Sequence, residues 1–220
     1  MQNFATPTPI TAVLDIPAGR IRLIAADRSD TTVEVRPADA SKGRDVKAAE
    51  QTKVDFADGA LRVEASVKHS LLGNSGSVEV TIQLPAGSAV EVKAAAAEFR
   101  AVGRFGDVVF DGASGEIKVD EAASVRLTAL AGDVTVGRLH GPADISTAKG
   151  DIRIAEAGRG TVVLTTQAGD VSIAAAAGVS ASLDASTSYG RVTNSLKNDG
   201  STELDIRATT AYGDIVARSL

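Results

Sequence analysis

The sequence predicts an all-β protein built around a parallel β-solenoid, that is, a β-helix. Three observations predict it: a glycine that returns at nearly even spacing, aliphatic residues that alternate on both sides of that glycine, and an apolar fraction poor in aromatic residues. Hydrophobic residues make up 44% of the 220 residues, aromatic residues make up 3%, and tryptophan is absent. Small and β-branched side chains suit thin, layered interiors better than a thick globular core.

The repeat is defined by its glycines. The stretch AGDVTV at 131–136 returns as KGDIRI at 149–154, as AGDVSI at 168–173 and as YGDIVA at 212–217. The anchoring glycines lie 17, 18, 19, 21 and 23 residues apart, at Gly115, Gly132, Gly150, Gly169, Gly190 and Gly213. Such a period is short for helical repeats and is typical of one coil of a β-solenoid.

Four aliphatic columns accompany these glycines. They lie seven and five residues before each glycine and two and four residues after it, with polar residues between them. A spacing of two is the period of a strand with one buried face. Each coil is therefore predicted to hold two strands with the glycine at the corner between them, and we expect a right-handed winding. The pattern weakens at Asn194 and Ala217, both four residues after a glycine.

The N-terminal part is less regular. Short strand patterns alternate with turn signals such as Asp58-Gly59. The stretch SKGRDVKAAEQTKV predicts one or two helical turns, and EVKAAAAEFRAVG at 91–103 is interpreted as strand because VEVKA alternates. We therefore predict an irregular β region over residues 1–87 that packs on or extends solenoid repeats over 88–220, in one continuous structural unit.

The run LPAGSAVEVKAAAAEFRAVGRFGDVVFDGASGEIKV, followed by GDVTV, GDIRI and GDVSI, resembles a known bacterial family. It is similar to the "putative adhesin" domain of unknown function, the β-strand-repeat kind common in actinobacteria. The resemblance covers roughly residues 10–217. It implies an all-β, solenoid-like fold and an adhesin-like label, and it carries no catalytic residues over to this chain.

An acidic column follows the glycines. Its members are Glu116, Asp133, Asp151, Asp170 and Asp214, with Arg191 at the remaining position. Stacked carboxylates could bind calcium, but calcium-binding nonapeptide repeats need a glycine-rich pattern that is absent here, and Arg191 would repel a cation. We interpret the acids as turn residues that bond backbone amides, and we predict no metal and no cofactor.

Hydroxyl residues fill two adjacent columns, three and four residues before the glycines. Adjacent residues of a strand point to opposite sides, so these columns do not form the paired outward rows of an ice-binding face. We interpret them as β-forming residues that bond to their neighbours in the stack. Tyr189 and Tyr212 share one column, where they either stack on a sugar or a partner or cover a corner near the end of the solenoid.

Residue patterns for catalysis and metal binding are sparse. Cysteine is absent, and the two histidines, His69 and His140, lack the spacing of metal ligands. The G-x-S-x-G motif is absent. A Ser-His-Asp triad whose members come together only in the folded chain stays an open alternative. The stretch GNSGS at 73–77 is interpreted as a hairpin tip rather than an anion-binding nest. We therefore predict no catalytic residues and no enzyme.

Charge and hydropathy bear on partners and location. A net charge of −5 and a pI of about 5.1 disfavour a general nucleic-acid binder and electrostatic docking on anionic membranes. We see no signal peptide and no apolar run long enough to span a membrane, which favours a cytoplasmic protein without membrane insertion. The predicted function is a non-enzymatic scaffold or protein-interaction protein of the adhesin-like kind, with an unknown protein partner. The alternative is a carbohydrate-binding or carbohydrate-active β-helix protein.

The last repeat, AYGDIVARSL, is followed by too few residues to fold back as a cap. If the coils stack in chain order, Ile206, Ala208 and Ile215 lie at or beside an open end. Identical ends commonly pack about a two-fold axis, so we expect a homodimer through the C-terminal coil. The predicted interface comprises Tyr189, Tyr212, Ile215 and Leu220.

Overall fold

A computed structural model describes residues 1–65 and 76–220. The chain forms two compact units, Met1–Gly115 and Glu116–Leu220. The described residues contain eighteen strands and one helix, so the prediction of an all-β protein is confirmed.

The first unit contains eight strands and the helix. In chain order they are β1 (Gln2–Ala5), β2 (Thr11–Asp15), β3 (Ala18–Ala26), β4 (Asp30–Pro37), α1 (Gly43–Gln51), β5 (Lys53–Ala57), β6 (Ala60–Glu64), β7 (Val78–Pro85) and β8 (Ala89–Ser114). The ambiguous stretch at 91–103 lies in β8, as predicted, and the expected helical turns form α1. The predicted boundary at residue 87 falls inside this unit, between β7 and β8.

Parallel pairing forms the body of the first unit. Strand β2 pairs with both β6 and β8, and β3 pairs with both β7 and β8, all in parallel. Strand β4 is antiparallel to β1 and β7. Strands β5 and β6 form a hairpin whose turn residues, Asp58 and Gly59, have φ of 52° and 74°. Positive φ at both central residues is the geometry that an Asp-Gly hairpin turn favours.

The second unit contains ten strands. They are β9 (Ile117–Ala131), β10 (Val134–Leu139), β11 (Ala143–Lys149), β12 (Ile152–Ala157), β13 (Gly160–Ala168), β14 (Val171–Ala175), β15 (Ala181–Tyr189), β16 (Val192–Ser195), β17 (Leu204–Tyr212) and β18 (Ile215–Ser219). They pair into two parallel ladders. One runs β9–β10–β12–β14–β18–β16, and the other runs β9–β11–β13–β17–β15.

The registers align the columns that the sequence pattern defines. Val134 lies level with Ile117 on one side and Ile152 on the other, and all three are buried. On the second ladder, Ile145 lies level with Leu127 and with a leucine of β13 in the same way. Alternate residues of each strand therefore form a continuous aliphatic core through solenoid-like stacked coils.

The coils do not stack in chain order. Strand β17 pairs with β13 on one side and β15 on the other, and β18 pairs with β14 and β16, so the last repeat lies inside the stack. Ile206, Ala208 and Ile215 are at most 1% exposed. Of the expectation that these three residues lie at or beside an open end, the first form is wrong, because each is covered by a coil on either side and the open end belongs to the next coil.

Residues 181–195, which include β15 and β16, form the outermost coil of this stack and are called the terminal coil below. Among the described residues, β15 pairs only with β17 and β16 pairs only with β18. Val192 occupies a core column but is 41% exposed, and Asn194 is exposed as well. The weakening of the pattern at Asn194 thus marks the edge of the stack.

Candidate functional site

The turn acids form a ladder of hydrogen bonds through the second unit. The Asp133 carboxylate accepts the backbone N–H of Asp151 at 2.9 Å, and that of Asp151 accepts the N–H of Asp170 at 2.8 Å. Asp170 in turn accepts the N–H of Asp214 at 2.7 Å, and Asp214 accepts that of Arg191 at 2.8 Å. One oxygen of each carboxylate is therefore bound to the next coil, which explains why an acid follows each of these glycines.

Glu116, the first predicted turn acid, is placed differently. Its carboxylate lies 2.6 Å from the Lys118 ammonium. Within residues 1–65 and 76–220, no group of three or more His, Asp or Glu side chains is arranged to hold a metal ion.

The corner glycines bring neighbouring coils into close backbone contact. Gly150 has φ +146°, and a Cβ at this position would lie 2.1 Å from the carbonyl oxygen of Gly132. A side chain here would collide with backbone that has no freedom to move, and positive φ is unfavourable for other residues. This close approach brings the N–H of the following acid within reach of the carboxylate in the adjacent coil.

A threonine column satisfies the carbonyl groups of the same corners. The Thr166 hydroxyl donates to the carbonyl of Gly150 at 3.1 Å, and the Thr210 hydroxyl donates to that of Gly169 at 3.0 Å. Both threonines are buried, whereas Thr209, in the adjacent column, is exposed. The two hydroxyl columns therefore face opposite sides of the strand, as their spacing predicts.

The second hydroxyl column forms a continuous row on the outside of the second ladder. In stack order it consists of Thr128, Ser146, Thr165, Thr209 and Ser186. A neighbouring outward row carries charges, with Arg126 level with Asp144 at one end and Arg207 level with Asp184 at the other. Val163 occupies the middle of this second row. The two rows make a mostly polar face, which is called the hydroxyl face below.

Tyr189 and Tyr212 lie three residues after Ser186 and Thr209, at the edge of the hydroxyl face. Their rings are parallel within 2°, their centroids are 5.0 Å apart, and the residues are 68% and 60% exposed. The register places Tyr212 between Ala168 and Tyr189. Two of the four predicted interface residues are therefore adjacent and accessible.

The other two predicted interface residues are placed elsewhere. Ile215 is fully buried between Val171 and Val192 and offers no surface to a partner. Leu220 is 46% exposed, and its N–H donates to the carbonyl of Ala175 at 3.0 Å.

A charged network on the first ladder was not predicted from the sequence. The Arg138 guanidinium lies 3.0 Å from the Glu121 carboxylate and 3.4 Å from that of Glu156, and His140 Nε2 lies 2.8 Å from Glu121. Glu121, Arg138 and Glu156 lie level with one another in successive coils. The register of β9, β10 and β12 is therefore what identifies this network. Exposed pairs of this kind contribute about 1 kcal/mol or less each. His69 and most of the GNSGS stretch lie outside the described residues.

The first unit carries an open groove of about 400 Å³. Its lining is mostly small residues: Gly19, Arg20, Ala38, Ser77, Ala96, Ala97, Glu98, Ser114 and Gly115. The Arg20 guanidinium lies 2.7 Å from Glu79 and 3.3 Å from Glu98. Because its one cation already lies between two carboxylates, the groove offers no free positive charge to an anionic ligand.

These features define an all-β repeat protein in which corner glycines, acids and threonines hold stacked coils together. The chain belongs to the Toastrack DUF4097 family, whose sequence profile matches residues 13–219. The match confirms the resemblance to an adhesin-like domain of unknown function. No curated protein matches the chain significantly.

Two solved structures share the fold at low sequence identity. A "putative adhesin" from Bacteroides fragilis is 15% identical, with 98% of this chain and 95% of that chain covered and a TM-score of 0.53. A "putative adhesin" from Parabacteroides distasonis is 10% identical, with the same coverage and a TM-score of 0.51. The one helix in the described part of the chain, α1, lacks the length and apolar character needed to cross a membrane.

Proposed function

We propose that the chain is a non-enzymatic scaffold that binds a protein partner through the hydroxyl face and the Tyr189–Tyr212 pair. The observation that carries this proposal is the stacking of two mostly exposed tyrosines at the ends of β15 and β17, the strands that carry part of the hydroxyl face. Tyrosine is enriched at protein interfaces because its ring supplies contact area and its hydroxyl still bonds to water or to a partner.

The composition of the hydroxyl face supports a protein partner. Apart from Val163, its side chains are short hydroxyls and charged groups of both signs, which suit a polar interface rim around an aromatic contact. The adhesin-like names of the two structural neighbours agree with this role, although a likeness at 15% identity concerns the fold. Anionic nucleic acid is a poor candidate because the net charge of the chain is −5.

Photo-crosslinking in native cells tests the proposal. A photoreactive amino acid replaces Thr165 on the hydroxyl face, and the matched control replaces the exposed Arg153, which lies on the other ladder. We expect one protein adduct from position 165, absent at position 153 and reduced by the double substitution Tyr189→Ser and Tyr212→Ser. Equal adducts from both positions, or an adduct that ignores the tyrosines, would contradict the proposal.

The carbohydrate alternative rests on the same tyrosine pair, because aromatic rings also stack on sugars. A glycan array separates the two functions. Glycan binding that is lost in the double tyrosine variant would replace the protein-binding proposal with the carbohydrate one.

A further inference from the structure

The terminal coil leaves the core of the second unit open on one side. Val192 is 41% exposed, whereas Ile215 and Val171, at the equivalent positions of the next two coils, are 0% exposed. Leu183 and Ala185 of β15 are only half-buried. A cross-section of aliphatic core is therefore accessible beside two strands that pair on one side only in the described structure.

The hydrogen bonds at the start of β15 show which backbone groups face outward. The Ser180 carbonyl accepts the N–H of Leu204, while the Ala181 N–H donates away from β17 to the carbonyl of Lys197 at 3.0 Å. Asn198 Nδ2 donates to the Ala181 carbonyl at 3.1 Å, so residues of the loop that follows β16 cover this position. Because the direction alternates along a strand, residues 183, 185 and 187 present their N–H and C=O groups to the open edge.

The open strands carry few of the features that prevent edge pairing. Monomeric proteins protect edges with lysine, proline or inward charges, or cover them with a loop. Strands β15 and β16 contain no lysine and no proline, and Asp184 is their one charged residue. Among the described residues, the loop that follows β16 bonds to the backbone of Ala181, and it makes no such bond to residues 183, 185 or 187.

We propose that β15 pairs antiparallel with β15 of a second copy of this chain, about a two-fold axis at Ala185. This register uses all three outward-facing residues, with Leu183 opposite Thr187 of the second copy and Ala185 opposite itself. It also places Asp184 opposite Ser186 of the second copy, so a carboxylate faces a hydroxyl. A shift of the axis to Asp184 would set two carboxylates opposite each other, which is unfavourable.

Self-complementarity favours a second copy over an unrelated peptide as the occupant. The same strand supplies both the acid and the hydroxyl that face each other, and the contact covers the half-buried Leu183. The contact differs from the protein-binding role proposed above because the backbone edge of β15 makes it, although Asp184 and Ser186 beside that edge also belong to the hydroxyl face.

Light scattering across a dilution series of the full chain tests this contact. Two variants that place opposite charges at residue 186 are compared with the unmodified chain. Ser186→Asp places two symmetry-related acid pairs in the interface, whereas Ser186→Lys places a cation opposite each Asp184. We expect a concentration-dependent dimer that S186D weakens about ten-fold and S186K does not weaken. Circular dichroism checks that both variants fold, since residue 186 is exposed in the monomer.

Hydrogen exchange provides a second measurement on the unmodified protein. Amides of residues 183–187 should exchange more slowly as the concentration rises. A monomer at every concentration, a dimer that treats S186D and S186K alike, or exchange that ignores concentration would each overturn the proposal. The dimer is measured on the purified chain and the partner adduct in native cells, so either result can be obtained without the other.

Discussion

The Asp170 carboxylate accepts the backbone N–H of Asp214 at 2.7 Å across 44 residues of sequence. Arg191 comes earlier in the sequence than Asp214 but lies one coil further out. Its backbone N–H donates to the Asp214 carboxylate. The hydrogen bonds of the turn acids therefore follow the spatial order of the coils.

Replacing Asp170 with Ala should lower the free energy of unfolding by about 1 kcal/mol, since the Asp214 N–H loses its acceptor. Asp170→Asn keeps an acceptor oxygen and should cost less. Urea denaturation measures both, with the exposed Asp144→Ala on β11 as the control. Equal losses for the three variants would show that the ladder contributes nothing specific.

Millimolar calcium should change Tm by less than about 1 °C, because a cation raises Tm only if it binds the folded state more tightly than the unfolded state. One oxygen of each ladder carboxylate already accepts an amide at 2.7–2.9 Å. Calorimetry with calcium and with EDTA makes this comparison. A rise of many degrees with calcium would identify the acids as ligands.

Thr210→Val should cost about 1–2 kcal/mol, because the substitution keeps the shape of the buried side chain and leaves the Gly169 carbonyl without the hydroxyl that donates to it at 3.0 Å. Thr209→Val, one residue earlier on the exposed side, should change stability by less than about 0.5 kcal/mol. Chemical denaturation measures the stability of both variants. A larger loss for Thr209→Val than for Thr210→Val would show that the exposed hydroxyl column, and not the buried one, stabilises the fold.

Gly150→Ala should destabilise the protein by more than about 3 kcal/mol, because it combines positive φ with a Cβ placed 2.1 Å from the Gly132 carbonyl oxygen. Gly43→Ala is the matched control, since nothing lies within 4 Å of a Cβ at that position. Thermal melts compare them. A Gly150 variant as stable as the Gly43 variant would mean that the coils separate at this corner at little cost.

The Asp39 carboxyl should titrate far below the ordinary range. The hydroxyl of Ser41, 2.6 Å away, and then Lys42 lower its pKa from 3.8 to about 2. The ionised form therefore favours the folded state above the unfolded pKa, and this contribution disappears as the pH falls from about 4 towards 2. Carbon-13 NMR titration of the side chain measures the midpoint, and Ser41→Ala should raise it. A midpoint that Ser41→Ala leaves in place would assign the shift to another group.

Much of the second unit could be predicted from periodicity alone. Ile117, Val134 and Ile152 were assigned to one column, and the register places them level with each other. The assignment succeeds because strand alternation and the corner glycine both impose a fixed phase on every coil.

The order of the coils could not be predicted in the same way. Every repeat carries similar columns, so pairing β13 with β15 or with β17 satisfies the same pattern. The distinguishing signal is Asn194, a polar residue in a core column, which a terminal position tolerates and an internal one does not. Because the order of the coils was ambiguous, Ile215 was predicted to lie at the surface. The Glu121–Arg138 pair was missed for a different reason, since contacts between coils depend on register.

The position of β17 and β18 inside the stack also constrains how the chain folds. Strand β15 precedes β17 in the sequence, yet β17 lies between β13 and β15 in the ladder. The ladder that joins β13 to β15 is therefore incomplete until β17 has paired with both. This step depends on nonlocal pairing, such as the Asp170–Asp214 contact across 44 residues of sequence, and pairing of this kind slows folding.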